Sequence, residues 1–186
     1  ISTSLVNNLV LDYMLGVDPA IAVSKRIEAT YNLCILMLIV APVTAVITYL
    51  LHFYVLLPLD LASLQLISFV LTISATIMIM EWFIRKLKPA LHERIRLYIP
   101  IVIANSTVTG IALLNIKTNI GVVGSFLSGL GSAIGFGLVL LVITSMRERI
   151  IDADVPMPFQ GVAMLLITLG LMSMAFLGFT GIVVIK

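Results

Sequence analysis

The stretch Ile103-Ala104-Asn105-Ser106-Thr107-Val108-Thr109-Gly110 lies in the middle of an apolar run, 97–114, that is long enough to cross a bilayer as a helix. It carries four side chains with hydrogen-bonding groups and then a glycine. Polar groups at membrane depth are tolerated when they face protein or a cavity, and they indicate function. The first apolar segment has a similar interruption at Asp12 and at Gly16-Val17-Asp18-Pro19. We therefore expect a scaffold that brings the two interruptions together.

The composition indicates an integral membrane protein. Of 186 residues, 61% are hydrophobic and 11% charged, and the mean hydropathy is +1.20. This apolar excess is too large for one soluble core, and its long runs predict an all-α protein in a lipid bilayer. The net charge of +2, without a basic stripe, indicates no nucleic-acid partner. Cys34 is the single cysteine, which excludes an internal disulfide and a CxxC metal site. The chain begins at Ile1, so we expect residues upstream of it.

Six transmembrane spans can be drawn along the chain. The fifth is rich in small residues three and four apart, such as Gly124, Ser128 and Ser132, which predicts close helix packing. Pro42 in the second span is interpreted as a kink. The first and fourth spans are interrupted as described above. The spans cover approximately residues 1–24, 31–57, 64–84, 97–114, 120–146 and 161–185.

Basic residues divide unequally between the two sides of the membrane. The side opposite the first, third and fifth loops has only Lys117 and Lys186. The positive-inside rule therefore puts those three loops in the cytoplasm and both termini outside. The three loops hold nine of the eleven Lys and Arg residues, namely Lys25, Arg26, Arg85, Lys86, Lys88, Arg94, Arg96, Arg147 and Arg149.

The order of the segments predicts a single membrane domain, 1–186, made of two inverted three-helix repeats, about 1–88 and about 97–186. Each half begins with an interrupted helix, and such helices meet near the midplane and form the site. Asn8 and Asn105 occupy similar positions in the two halves and are expected to shape the breaks. Asp18 lies seven residues before Lys25 and Ser106 ten residues after Arg96, so both lie roughly 10–15 Å from the cytoplasmic face.

Several stretches give the chain a resemblance to a known family. Because of these stretches, essentially the whole chain resembles the A subunits of Rnf complexes and, more distantly, the E subunits of Na⁺-translocating NADH:quinone reductases. The stretches are Leu5-Val6-Asn7-Asn8, Ala22-Val23-Ser24-Lys25, Ile111-Ala112-Leu113-Leu114-Asn115-Ile116, Arg147-Glu148-Arg149, Ala153-Asp154-Val155-Pro156-Met157-Pro158-Phe159 and Gly170-Leu171-Met172-Ser173-Met174-Ala175-Phe176.

The resemblance implies a membrane component of a translocase in a prokaryotic inner membrane. Such a protein pairs with a homologous E/D-type membrane subunit of opposite topology, and each contributes two cysteines to a shared [2Fe–2S] cluster. The cluster passes electrons between a cytoplasmic ferredoxin or NADH module and flavins on the outer side, beside other membrane and flavin or iron–sulfur subunits. Electron flow is coupled to Na⁺ or H⁺ transport. The chain is not a catalyst by itself.

The sequence departs from this family at the two cluster positions. The first cysteine follows a Leu-Gly-x pattern and precedes proline, and Asp18 stands there; Ser106, after Asn105, stands at the second. Cys34 matches no family ligand. Thiolate is the usual ligand of such clusters. The alternatives are therefore ligation by Asp18 and Ser106 oxygens, a weakened cluster, a different metal, or no cluster.

Two further carboxylates are candidates for an ion path. Asp12 lies inside the first span, where it can bind Na⁺, relay a proton, or reach water or a neighbouring arginine. Glu81 lies four residues before Arg85, and an intrahelical ion pair is the alternative to a transport role. His92 is expected to be an interfacial or solvated histidine in a cytoplasmic loop.

These observations favour the membrane subunit of an Rnf-type electron transport complex. The alternative is a redox-silent homologue, either a cation transporter or channel that uses Asp12 and Asp18, or a structural scaffold for partner subunits.

Overall fold

The computed structural model describes residues 15–23, 27–151, 156 and 160–183, and the regular structure within them is helical. A π-helical turn, His52–Leu56, extends the second helix, and a 3-10 turn, Ala62–Leu64, precedes the third. In chain order the helices are α1 Val17–Val23, α2 Ile27–Leu51, α3 Gln65–Leu87, α4 Pro89–Ile95, α5 Ile99–Ile103, α6 Ser106–Thr118, α7 Gly121–Ile151 and α8 Val162–Val183.

Four of the described helical segments are long and apolar enough to span a membrane, namely Ile27–Leu56, Gln65–Leu87, Ile99–Thr118 and Gly121–Ile150. The prediction of an all-helical, multi-span membrane protein is therefore confirmed, and these spans begin and end within a few residues of the expected positions. Helix α8 adds a further apolar helix at the sixth expected span. Most of the first span lies outside the described residues, so the arrangement of six spans in two inverted repeats stays a prediction.

Helices α2 and α7 form the central pair of the bundle. Gly129 of α7 lies directly against the α2 backbone, where an added Cβ would come within 2.7 Å of Pro42 Cα and 2.9 Å of Ala41 O. Farther along the pair, the Thr30 and Thr144 hydroxyl oxygens lie 2.8 Å apart. Small side chains allow two helix backbones to approach in this way, as the spacing in the fifth span predicts. Helix α2 runs through Pro42 as one helix, and this proline is a packing contact for α7.

The core lies where α2, α3, α5, α6 and α7 meet. Its largest fully buried side chains include Leu33 and Met37 of α2, Phe69 of α3 and Phe136 of α7. Val102 of α5 belongs to the same cluster, with no exposed surface. This core is the support that holds α5 and the start of α6 in place inside the span.

Helix α3 lies at the edge of the bundle. Only 22% of its most apolar stretch is buried inside the bundle, whereas 61% of the corresponding stretch of the α2 span is buried. Leu71 and Met78 are among its large side chains that stay exposed. Such a face is stable only in an apolar solvent, so α3 presents it to lipid or to a neighbouring subunit.

Replacing Gly129 by alanine is expected to lower stability by about 1–3 kcal/mol, because the new methyl group must push α2 and α7 apart. The measurement is the thermal unfolding midpoint of the purified protein in detergent. Gly170→Ala on α8 is the matched control, since a Cβ there meets nothing within 4 Å. Both variants gain about 1 kcal/mol of intrinsic helix propensity, so the control should unfold at the same or a slightly higher temperature. Equal midpoints for the two variants would contradict the close contact.

Candidate functional site

In the structure, a helix begins at the first sequence interruption, and a break between two helices lies at the second; both are called helix breaks. Helix α1 begins directly after Gly16, whose φ of +86° lies in the left-handed region that favours glycine. The second break separates α5 from α6, where Ala104 and Asn105 leave the helical path. Both positions therefore carry a residue suited to non-helical backbone.

Asn105 begins α6 as its N-cap. Its backbone is extended, with φ −74° and ψ 115°, and its side-chain Oδ1 accepts the Thr107 N–H at 2.9 Å. The amide group of Asn105 is buried, with 2% exposure, and its Nδ2 donates to Met37 Sδ of α2 at 3.4 Å. Asparagine is among the preferred N-cap residues because its side chain satisfies a free helix amide. Here it also anchors the break to the core.

Ser106 connects the two breaks. Its Oγ accepts the Gly16 N–H at 2.9 Å and donates to Asp18 Oδ2 at 3.0 Å. These bonds join parts of the chain that are 90 and 88 residues apart in sequence. The structure thus brings together Asp18 and Ser106, the two positions that the sequence analysis singled out.

The place where Gly16, Asp18 and Ser106 meet is the junction of the two breaks. It is buried on its inner side and exposed at one edge. Thr107 has no exposed surface, Ser106 is half-buried, and the Asp18 side chain is exposed on the surface of this chain. Within the described residues the buried Thr107 Oγ1 has no hydrogen-bond partner, and it lies against Gly16, where a Cβ would overlap it. The site therefore presents a carboxylate, backed by a hydroxyl, at the chain's surface. Such a group can accept hydrogen bonds, a proton or a hard cation from whatever covers it.

Three contributors to the junction were not predicted as site residues, although Thr107 is one of the four polar side chains of the opening stretch. Met37 of α2 accepts from Asn105, and Phe136 of α7 lies 2.8 Å from the position of a Cβ on Gly16. Thr107 is the third. Met37 and Phe136 looked like ordinary apolar residues in long apolar runs, so no sequence signal separated them from their neighbours.

Of the two ion-path candidates, Asp12 and Glu81, the structure describes only Glu81. Asp12 lies outside the described residues, as does Asn8. Glu81 pairs with His92 of α4, with Oε1 3.1 Å from Nε2, instead of with Arg85 as expected. The His92 side chain is 15% exposed and lies on helix α4, within the segment that was expected to be a loop. The pair forms because α4 folds back against the end of α3, a contact that helical spacing alone does not predict.

The part of the chain that the structure describes contains no group of three His, Cys, Asp or Glu side chains able to hold a metal ion. Cys34 lies on α2, where its Sγ is 3.8 Å from the Gly137 carbonyl oxygen of α7. This thiol therefore belongs to the α2–α7 contact, at a helix face that packs on another helix.

Comparison with known proteins adds the following. A family model described as "Rnf-Nqr subunit, membrane protein" matches residues 1–183. The A subunit of the ion-translocating oxidoreductase complex from Shewanella sp. (strain MR-4) is 43% identical over 98% of this chain and 95% of its own length. The same subunits from Shewanella putrefaciens (strain CN-32 / ATCC BAA-453) and Shewanella baltica (strain OS185) are each 42% identical, with the same coverage.

Gly16→Ala is expected to destabilise the protein more than Gly121→Ala. Both glycines have a left-handed φ, +86° and +75°, and alanine there costs about 1–2 kcal/mol. Only at Gly16 would the methyl group also meet Thr107 and Phe136, whereas nothing lies within 4 Å at Gly121. Thermal unfolding midpoints of the two variants measure the difference. If the two midpoints fall equally, the close approach of the two breaks is wrong.

Proposed function

Since the chain belongs to the Rnf-Nqr family of membrane subunits, we propose that it is the A-type subunit of an ion-translocating oxidoreductase complex. In this complex, electron transport is coupled to the movement of Na⁺ or H⁺ across the membrane. The chain acts as one part of the translocase and does not catalyse a reaction by itself. It occupies the prokaryotic cytoplasmic membrane with both termini outside, an orientation supported by the nine-to-two division of basic residues.

The observation that carries this proposal is the meeting of the two helix breaks at an exposed carboxylate. Asp18 lies at an open edge of the junction and, by its distance from the basic loops, roughly 10–15 Å inside the membrane. A carboxylate at that depth is costly when it faces lipid. A second protein must therefore cover this edge. We assign this place to the homologous E/D-type subunit of opposite topology that the resemblance implies.

The remaining subunits of the complex are expected at other surfaces. The last turns of α7 carry basic and acidic residues, Arg147, Glu148 and Arg149, and are the candidate contact for cytoplasmic redox subunits. The exposed apolar face of α3 meets lipid or another membrane subunit. No nucleic-acid partner is part of this assignment.

The [2Fe–2S] cluster that the resemblance implies does not fit the side chains at its two positions. Asp18 and Ser106 bond to each other through oxygen atoms. Cys34, the single cysteine, has its sulfur directed at Gly137 O in the α2–α7 contact. Because iron in such clusters is normally held by thiolates, we assign no electron-transfer step through a cluster to this chain.

A second candidate function is cation movement without electron transfer. The replacement of two thiol positions by a carboxylate and a hydroxyl favours it, since oxygen ligands suit Na⁺ and protons. The structural scaffold is the third alternative, and it requires neither electron flow nor ion flux through this chain.

Purification and transport assays test these functions. A tagged chain purified in mild detergent from its native membranes should bring with it a homologous membrane subunit. Inverted vesicles from cells lacking this chain should lose Na⁺ or H⁺ uptake driven by electron transport, and the restored gene should return it. Uptake that persists without an electron donor would favour the second candidate. A chain that purifies alone, from cells whose coupled uptake does not depend on it, would contradict the proposal.

A further inference from the structure

We infer that Asp18 and Ser106 form a hydrogen-bonded latch between the two helix breaks in place of cluster ligation, so that this chain supplies no iron ligand at the junction. This inference rests on the proposed function in one respect, namely that a partner protein covers the junction. It concerns the chemistry of the junction itself, which the relatives' names do not describe.

The hydroxyl of Ser106 has no proton left for another partner. Its single hydrogen lies on Asp18 Oδ2 at 3.0 Å, and one of its lone pairs receives the Gly16 N–H at 2.9 Å. The same oxygen therefore bonds to both sides of the first break. The bond from the Gly16 N–H would still be possible if Ser106 Oγ bound iron. The bond that Ser106 donates to Asp18 would not, because it uses the hydroxyl proton.

Iron ligation would require Ser106 to lose that proton. An alkoxide would then stand 3.0 Å from a carboxylate, and two like charges at this separation repel strongly away from water. The bond that now joins Asp18 to Ser106 would become a repulsion.

The sulfur atoms described near the junction cannot replace the two missing thiolates. One cysteine cannot supply two ligands, and Cys34 Sγ lies by the Gly137 carbonyl of α7. Met37 Sδ lies near the junction, but it accepts the Asn105 amide hydrogen and is a neutral thioether. The junction is therefore held by oxygen and nitrogen atoms.

The latch holds the two breaks together, as a metal bound by both of them would. Gly16 and Asp18 flank the start of α1, and Ser106 starts α6. A hydroxyl that bonds to both sides of α1's first residue fixes that helix to α6. Asn105 then ties α6 to α2 through Met37, so the latch is continuous with the core.

The first test is a metal assay of the purified complex. Iron and acid-labile sulfide per complex, with EPR spectra after dithionite reduction, are compared for the natural chain and for Asp18→Ala, Asp18→Asn, Ser106→Ala and Cys34→Ser. All four variants should retain the iron, sulfide and EPR signals of the natural complex. Loss of one [2Fe–2S] equivalent in any of them would overturn the inference. Asp18→Asn preserves the acceptor for Ser106 and is the variant to use if the alanine variants fail to assemble.

The second test is a double-mutant cycle on thermal unfolding of the same complexes. Asp18→Ala should lower the midpoint, and Ser106→Ala should lower it further because it also removes the acceptor of the Gly16 N–H. The double variant should unfold close to Ser106→Ala, because the bond between Asp18 and Ser106 is already lost in each single variant. Asp18→Asn should stay near the natural midpoint. Fully additive effects would rule out the latch. A chain that assembles with no partner would instead count against the proposed function, so the two failures are distinguishable.

Discussion

A helix that breaks inside a membrane leaves backbone amides and carbonyls that water cannot reach, and the protein must satisfy them itself. In this chain the hydroxyl of Ser106 takes the free amide of Gly16, and the side chain of Asn105 takes the free amide of Thr107. Each bond requires its partners to lie within about 3 Å of each other. The positions of α1, α5 and α6 follow from this requirement, and the rest of the bundle must supply a frame that holds them there.

The frame is the close pair of α2 and α7. Because Gly129 carries no side chain, the two backbones approach at Pro42, and their buried faces reach the junction from both sides. Met37 of α2 accepts the Asn105 amide, and Phe136 of α7 lies against Gly16. A change in the α2–α7 contact is therefore expected to act on the junction.

The same fold position supports different chemistry according to the atoms placed there. Two thiols at such a junction are free to share a metal with a partner protein, since sulfur forms only weak hydrogen bonds. A carboxylate and a hydroxyl bond to each other, as Asp18 and Ser106 do. The pair leaves a carboxylate at the exposed edge, where the partner must bring a hydrogen-bond donor or a cation. We infer that, within the proposed complex, this chain contributes helix geometry and an acidic group to the crossing point, and that the electron carriers belong to other parts of the assembly.

The sequence by itself determined the class of the protein, its main spans and the location of both breaks. These depend on local properties: apolar runs of bilayer length, and residues such as Gly16 and Asn105 that leave the helical path readily. The sequence also identified Asp18 and Ser106 as the two candidate site positions. Only the tertiary structure decided what they bond to, because a bond across 88 residues depends on how the helices pack. The same limit explains Glu81, whose expected partner Arg85 lies one helical turn away, while its observed partner His92 lies on the next helix. Periodicity predicts which residues share a face of one helix, whereas contacts between helices depend on side-chain packing across the whole bundle.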